Sequence, residues 1–105
     1  MLNISEQKNE NACVIAIKGE LVASTLDIVK SKVKELVAAG STAITFDMTE
    51  SDAIDSAGIG FIAAAHNTLV KSGGALKLVG LSKDMYDFFV CLRMNTHFTI
   101  ETRDK

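Results

Sequence analysis

The chain has 105 residues, 48 % of them apolar and 23 % charged, with a net charge of −2 at neutral pH, which suits a single domain over residues 1–105 that buries roughly two-thirds of its unfolded surface. This acidic balance argues against non-specific nucleic-acid binding, which needs a basic face for phosphates. No apolar run approaches the ~20 residues of a membrane span, and Met1-Leu2-Asn3-Ile4-Ser5-Glu6 lacks a basic-then-apolar signal, so the expected location is the cytoplasm, without membrane insertion.

In chain order, Leu2 to Ser5 is a candidate edge strand, followed by a polar stretch from Glu6 to Asn11. Ala12 to Ile17 reads as a buried strand closed by Lys18-Gly19. Ser24-Thr25-Leu26-Asp27 resembles a capping box with Asp for the usual Glu, and opens a helix that ends at Ala38-Ala39-Gly40. Leu26, Val29, Val33, Leu36 and Val37 fall within an arc of about 100° at 100° per residue, the expected core stripe, with Ile28 outside it.

Ala43 to Met48 is the next strand, and Thr49 to Asp55 reads as an acidic connection. A helix is predicted from about Ala57 to Lys71, ended by Ser72-Gly73-Gly74, and Ala75 to Gly80 forms a further strand. Ser82 is the expected cap of a last helix whose Met85, Phe88, Phe89 and Leu92 share a face. Phe98-Thr99-Ile100 offers a short final strand before a charged tail, Glu101 to Lys105. The order is ββαβαβα with a possible last strand, an α/β fold of a small mixed sheet with helices packed on it. Parallel pairing follows wherever a helix links two strands.

Cys13 and Cys91 are too few and too far apart for a disulfide framework or a zinc site, and read as buried thiols. His66 and His97 have no Cys or His at ligand spacing, so no metal is expected.

The segment that concentrates chemistry is Ile54-Asp55-Ser56-Ala57-Gly58-Ile59-Gly60. Three roles suit Ser56: helix cap, nucleophile or phosphate acceptor. Asp and Ser both favour the cap position. The glycines are costly there, at ~1 kcal/mol each relative to alanine in a helix, so tight packing, special dihedrals or an approaching partner must require them. A hydrolase elbow needs G-x-S-x-G and a histidine base. The first glycine is missing, and His66 lies about 15 Å further along the helix at 1.5 Å per residue. A phosphoryl group would add about −1.5 to −2 charge at the positive end of a helix dipole. The helix tolerates that, whereas an acidic or apolar partner is repelled, and Asp47, Glu50, Asp52 and Asp55 already make this end acidic.

On the following helix, Ile59, Ile62, His66, Leu69 and Val70 share one arc, expected to face the core with His66 partly buried. Ala57, Phe61, Ala64, Ala65 and Thr68 lie opposite, as an apolar docking surface or as a second covered face. Asp47 at a strand end could suit a phosphoryl-accepting receiver domain. Such a domain also needs paired acids after its first strand, and Gly19-Glu20-Leu21-Val22 offers one carboxylate.

These residues resemble the STAS domain family, in particular small bacterial anti-sigma factor antagonists. The resemblance rests on Gly19-Glu20-Leu21, on Phe46-Asp47-Met48 leading into Ile54 to Gly60, on Ser72-Gly73-Gly74 with Leu76 to Val79, and on the helix around Phe88, Phe89 and Leu92. Val22 stands where many relatives carry an acid, and Ser51-Asp52-Ala53 where many are apolar. The resemblance implies a non-enzymatic binding module without a cofactor. Ser56 would be phosphorylated by an anti-sigma factor kinase, bound when unmodified and released when phosphorylated, with a phosphatase resetting the switch. Asp55, Ser56, Ala57, Gly58, Gly60, Phe61 and Ala64 are the expected contact residues, on a monomer or weak homodimer. The alternative it implies is a non-switching scaffold, in a stress-signalling complex or as an accessory subunit of a lipid transporter, in which Ser56 is only a cap and contact.

Overall fold

The computed structural model describes residues 2–96 and 99–103. Five strands form one sheet in sequential order: β1 (Asn3–Asn9), β2 (Ala12–Leu21), β3 (Ala43–Ile54), β4 (Ala75–Leu81) and β5 (Thr99–Thr102). β1 pairs antiparallel with β2 through a tight turn, and every later pair is parallel. The parallel pairs are linked by α1 (Leu26–Ala38), α2 (Ser56–Lys71) and, with a short 3-10 turn at Met94–Thr96, α3 (Lys83–Cys91). Right-handed crossovers that always advance to the next strand place all three helices on one face.

Burial follows from that one-sided cover. Along β2, Cys13, Ile15 and Ile17 point under the helices, whereas Val14 between them is 37 % exposed. The apolar run that reads as a fully buried strand is therefore half-covered. Phe46 and Met48 of β3, with Leu76 and Leu78 of β4, continue the covered face. On α1, Leu26, Val29, Val33 and Leu36 are buried, with Val37 half-buried and Ile28 exposed, as the helical arc predicts.

α2 is turned relative to its predicted face. Phe61 and Ala65 are buried beside Ile62 and Leu69, and Val70 is exposed. Phe61 stacks on Phe46 with ring centroids 6.1 Å apart and planes 21° off parallel, a geometry aromatic pairs favour. α2 packs on β3 and β4 and has α1 along one flank, so the arc it covers extends from the sheet to the α1 side, where Phe61 and Ala65 stand. Phe88 of α3 and Leu92 just after it are exposed, leaving Met85 and Phe89 as that helix's buried anchors. Cys13 is buried, and Cys91 is exposed on the outer turn of α3.

Two elements run further than their apolar patterns. β1 continues through the polar, exposed Glu6–Asn9, because its backbone pairs there with Ile15 to Ala12 of β2. β3 continues through Thr49–Ile54, the stretch that reads as an acidic connection. Its partner there is the end of β2, with Lys18 opposite Glu50 and Leu21 opposite Ile54. The pairing passes two irregularities around Gly19, whose φ of +110° suits a bulge that only glycine enters readily. Ser51 is buried there and its hydroxyl donates to the Gly19 carbonyl at 2.9 Å. Of the predicted last strand, Phe98 lies outside the described residues.

Candidate functional site

The extended β3 delivers the chain to α2 with one residue, Asp55, between them. Asp55 is extended at φ −112° and ψ −176°, and its Oδ1 accepts from the Gly58 N–H at 2.9 Å. Its Oδ2 accepts from the Ala23 N–H at 3.1 Å, in the loop between β2 and α1. One carboxylate therefore caps α2 and ties two loops together. The Gly58 and Ala23 N–H groups hold the Asp55 carboxyl below its ordinary range, against the opposing pull of desolvation.

That shift has a sign. A carboxylate lowered in the folded state stabilises the fold above its unfolded pKa and loses that contribution as pH falls through the folded one. Urea unfolding of the wild type and Asp55→Asn at several pH values is expected to show a difference at neutral pH that begins to shrink near about pH 4, where unfolded aspartates protonate, and is gone once pH falls below the lowered folded-state value. A difference that does not shrink as the pH falls would contradict the cap.

Ser56 is the first residue of α2 and is exposed. The cap position belongs to Asp55, and among the described residues the Ser56 hydroxyl makes no hydrogen bond. This removes the cap-only role from the three alternatives. Among the described residues the nucleophile role also lacks a histidine base within reach, since His66 sits half-buried ten residues along α2, and His97 lies outside the described residues. Asp47 is engaged by its own turn: Oδ1 accepts from the Thr49 N–H at 3.0 Å and the Thr49 hydroxyl at 2.6 Å. Among the described residues no three His, Cys, Asp or Glu side chains gather as a metal site, and no helix is long and apolar enough to cross a membrane.

The glycines separate in purpose. Gly58 is buried, and a Cβ there would strike the Leu21 carbonyl oxygen and the Ile54 side chain, so it serves close packing and presents no contact surface. Gly60 is exposed with open space where its Cβ would stand. Ala57 is half-buried and Ala64 exposed. Phe61, expected to be available for docking, is only 8 % exposed.

The apolar ground beside Ser56 comes from elsewhere. Ala53 and Ile54, just before the site, line a surface depression with Met85 and Phe88 of α3, and Phe88 is 45 % exposed. Helical spacing puts Phe88 on one face with Met85, Phe89 and Leu92 and does not tell which of them is covered; Met85 and Phe89 are. The capping box of α1 also resolves differently. Thr25 is the cap residue but caps no α1 amide with its side chain. Its hydroxyl instead accepts from the Val22 N–H at 3.0 Å and donates to the Glu20 carbonyl at 2.7 Å, closing the loop that meets Asp55.

Arg103 is the contributor that sequence reading assigns to a charged tail. The parallel pairing of β3 with β4 stops at Asp47 and Val79. Beyond it the Arg103 N–H donates to the Leu81 carbonyl, and its guanidinium donates to Gly80 at 3.0 Å, Met48 at 3.0 Å and Ser51 at 3.3 Å. A charged fork bridges two diverging strands, one of which leads into Ser56. Arg103→Ala is expected to cost about 1–2 kcal/mol by denaturant unfolding, the range for a few part-exposed charge-assisted bonds. No loss would show that the fork holds nothing.

Comparison with known proteins adds relationships. The family model described as STAS domain matches residues 3–104. An anti-sigma-B factor antagonist of Bacillus subtilis (strain 168) is 26 % identical over 88 residues, which is 84 % of this chain and 80 % of that protein. Among solved structures, an anti-sigma factor antagonist from Mycobacterium paratuberculosis superposes with a TM-score of 0.84 at 17 % identity, over 96 % of this chain and 86 % of the other. The Bacillus cell fate determinant SpoIIAA in its phosphorylated form gives 0.76 at 18 % identity, over 97 % and 91 %. At these identities the structural likeness carries the fold.

Proposed function

Because the chain belongs to the STAS domain family, we propose that it is a phosphorylatable binding module of a partner-switching pathway. Unmodified, it binds an anti-sigma factor with serine kinase activity. Phosphorylation of Ser56 releases that partner, and a phosphatase restores binding. The observation that carries this reading is the free, exposed Ser56 hydroxyl at the first position of α2, beside a cap already supplied by Asp55. Among the described residues no contact depends on that hydroxyl, so its modification alters a surface and spares the core.

The chemistry supports the same direction. A phosphoryl group at the start of α2 meets the positive end of the helix dipole. It also adds about −1.5 to −2 charge beside the ionised Asp55. The helix keeps its structure while the docking surface becomes more negative and more strongly hydrated. The likeness to antagonists of anti-sigma factors supplies the partner class. SpoIIAA, which shares the fold, occurs in phosphorylated and unphosphorylated forms. Asp55, Ala57, Gly60 and Ala64 keep their place as proposed contacts. Gly58 and Phe61 are buried and leave that set, and Phe88 joins it. The module is not an enzyme; ATP and its magnesium belong to the kinase.

Incubation with the anti-sigma factor kinase and ATP, followed by mass-spectrometric mapping, tests the assignment. Phosphate is expected on Ser56 and is expected to vanish in Ser56→Ala. Phosphate on Ser24 or Thr25, or retained in the variant, would overturn it.

A further inference from the structure

A second feature lies on the same side of the molecule and shares Ala64 with the proposed partner contacts. Between α1 and α2 runs an apolar trench of about 380 Å³, within the ~300–1,000 Å³ of small-molecule clefts. Its floor is Val33, Phe61 and Ala65, each at least nine-tenths buried. The small side chains of Ala38, Ala64 and Thr68 keep it open.

Lys30 and Lys34 also line it, one helical turn apart on α1, and both are exposed. Among the described residues neither has an ion-pair partner. Lys32, by contrast, is held by Glu6 at 2.8 Å and Glu35 at 3.4 Å, and Lys18, Lys77 and Lys83 are each paired with a carboxylate. Two unpaired ammonium groups thus stand beside an apolar slot.

We propose that this trench binds a free medium-chain alkyl carboxylate, with its chain over Phe61 and Val33 and its head between Lys30 and Lys34. Width decides between occupants. A partner helix is about 10–12 Å across and cannot enter a slot between two helices in contact with each other; an alkyl chain can. Length agrees, since Lys30 to Ala38 spans about 12 Å at 1.5 Å per residue. Charge complementarity fixes the head group as an anion, and a slot without polar floor atoms fixes the body as hydrocarbon.

The test is an amide-resolved NMR titration of the chain with hexanoate, octanoate and decanoate, all below micelle-forming concentrations. Saturable shifts are expected at Val33, Phe61, Ala64 and Ala65, with affinity rising about fourfold per added methylene. The double variant K30E/K34E is expected to bind decanoate at least tenfold more weakly. Ala64→Leu, which fills the slot from an exposed position, is expected to abolish binding while the chain melts as the wild type does. Shifts scattered over the surface, affinity independent of chain length, or undiminished binding by K30E/K34E would each overturn the proposal. So would binding to phosphatidylglycerol vesicles without any to monomeric decanoate. None of these readouts involves Ser56 or its kinase, so the result stands apart from that of the switch.

Discussion

Ser56→Asp is expected to bind the anti-sigma factor at least about 100-fold more weakly than the wild type, whereas Ser56→Ala should stay within about threefold. A new carboxylate on a docking surface costs several kcal/mol when it meets a like charge or loses water without a partner, and about 2.7 kcal/mol suffices for 100-fold. The position is exposed and its hydroxyl makes no bond among the described residues, so removing the hydroxyl should matter little. Folding should respond in the opposite sense. An acidic side chain in the first turn of a helix stabilises it by about 0.3–1 kcal/mol, so Ser56→Asp should melt no lower than the wild type. Titration calorimetry beside thermal melting separates the two effects. Equal affinity of Ser56→Asp and Ser56→Ala would place Ser56 outside the switch and favour a scaffold that does not respond to charge.

The second large effect concerns the glycines behind Ser56. Gly58→Ala should cost about 1–3 kcal/mol, the range for overpacking a filled site, because its Cβ meets both the Leu21 carbonyl and Ile54. At about 4–8 °C per kcal/mol for a domain of this size, the melting temperature should fall by roughly 5–20 °C. Gly60→Ala meets nothing and removes a helix-interior glycine, so a gain of up to about 1 kcal/mol is expected. The same chemical change two residues apart should thus have opposite signs by circular-dichroism melting. Two destabilised variants would show that α2 needs conformational freedom at both positions. Two stabilised variants would contradict the close approach of α2 to β2.

These positions also show what the sequence can and cannot reveal. Element order, the parallel pairing and the stripe on α1 follow from apolar spacing and turn residues, and all appear in the fold. Ser82 caps α3 as its position before the helix suggests, accepting from the Met85 N–H at 3.2 Å. The second half of β3 was hidden because Thr49 to Asp55 has no apolar alternation. It is a strand because the end of β2 supplies its hydrogen-bond partners, a fact of tertiary pairing.

At the site, the pair Asp55-Ser56 was visible, but which residue caps α2 was not. Both types accept from first-turn amides, and the Ala23 N–H reaching Asp55 across 32 residues decides it. Phe61, expected on the contact surface, is buried, and Phe88 is an exposed member of its helix face, for a similar reason. Spacing defines a helix's faces, and the neighbours on each side decide which of them is covered. Arg103 carried no signal, because its partners are backbone carbonyls of β3 and β4 that any sequence would offer.

The most direct measurement is the affinity of one preparation for the anti-sigma factor kinase before phosphorylation, after stoichiometric phosphorylation, and again after phosphatase treatment. A tight complex that is lost when Ser56 carries phosphate and recovered when it is removed is the predicted result. A complex that survives with Ser56 fully phosphorylated would contradict the switch, whatever the fold and the free hydroxyl suggest.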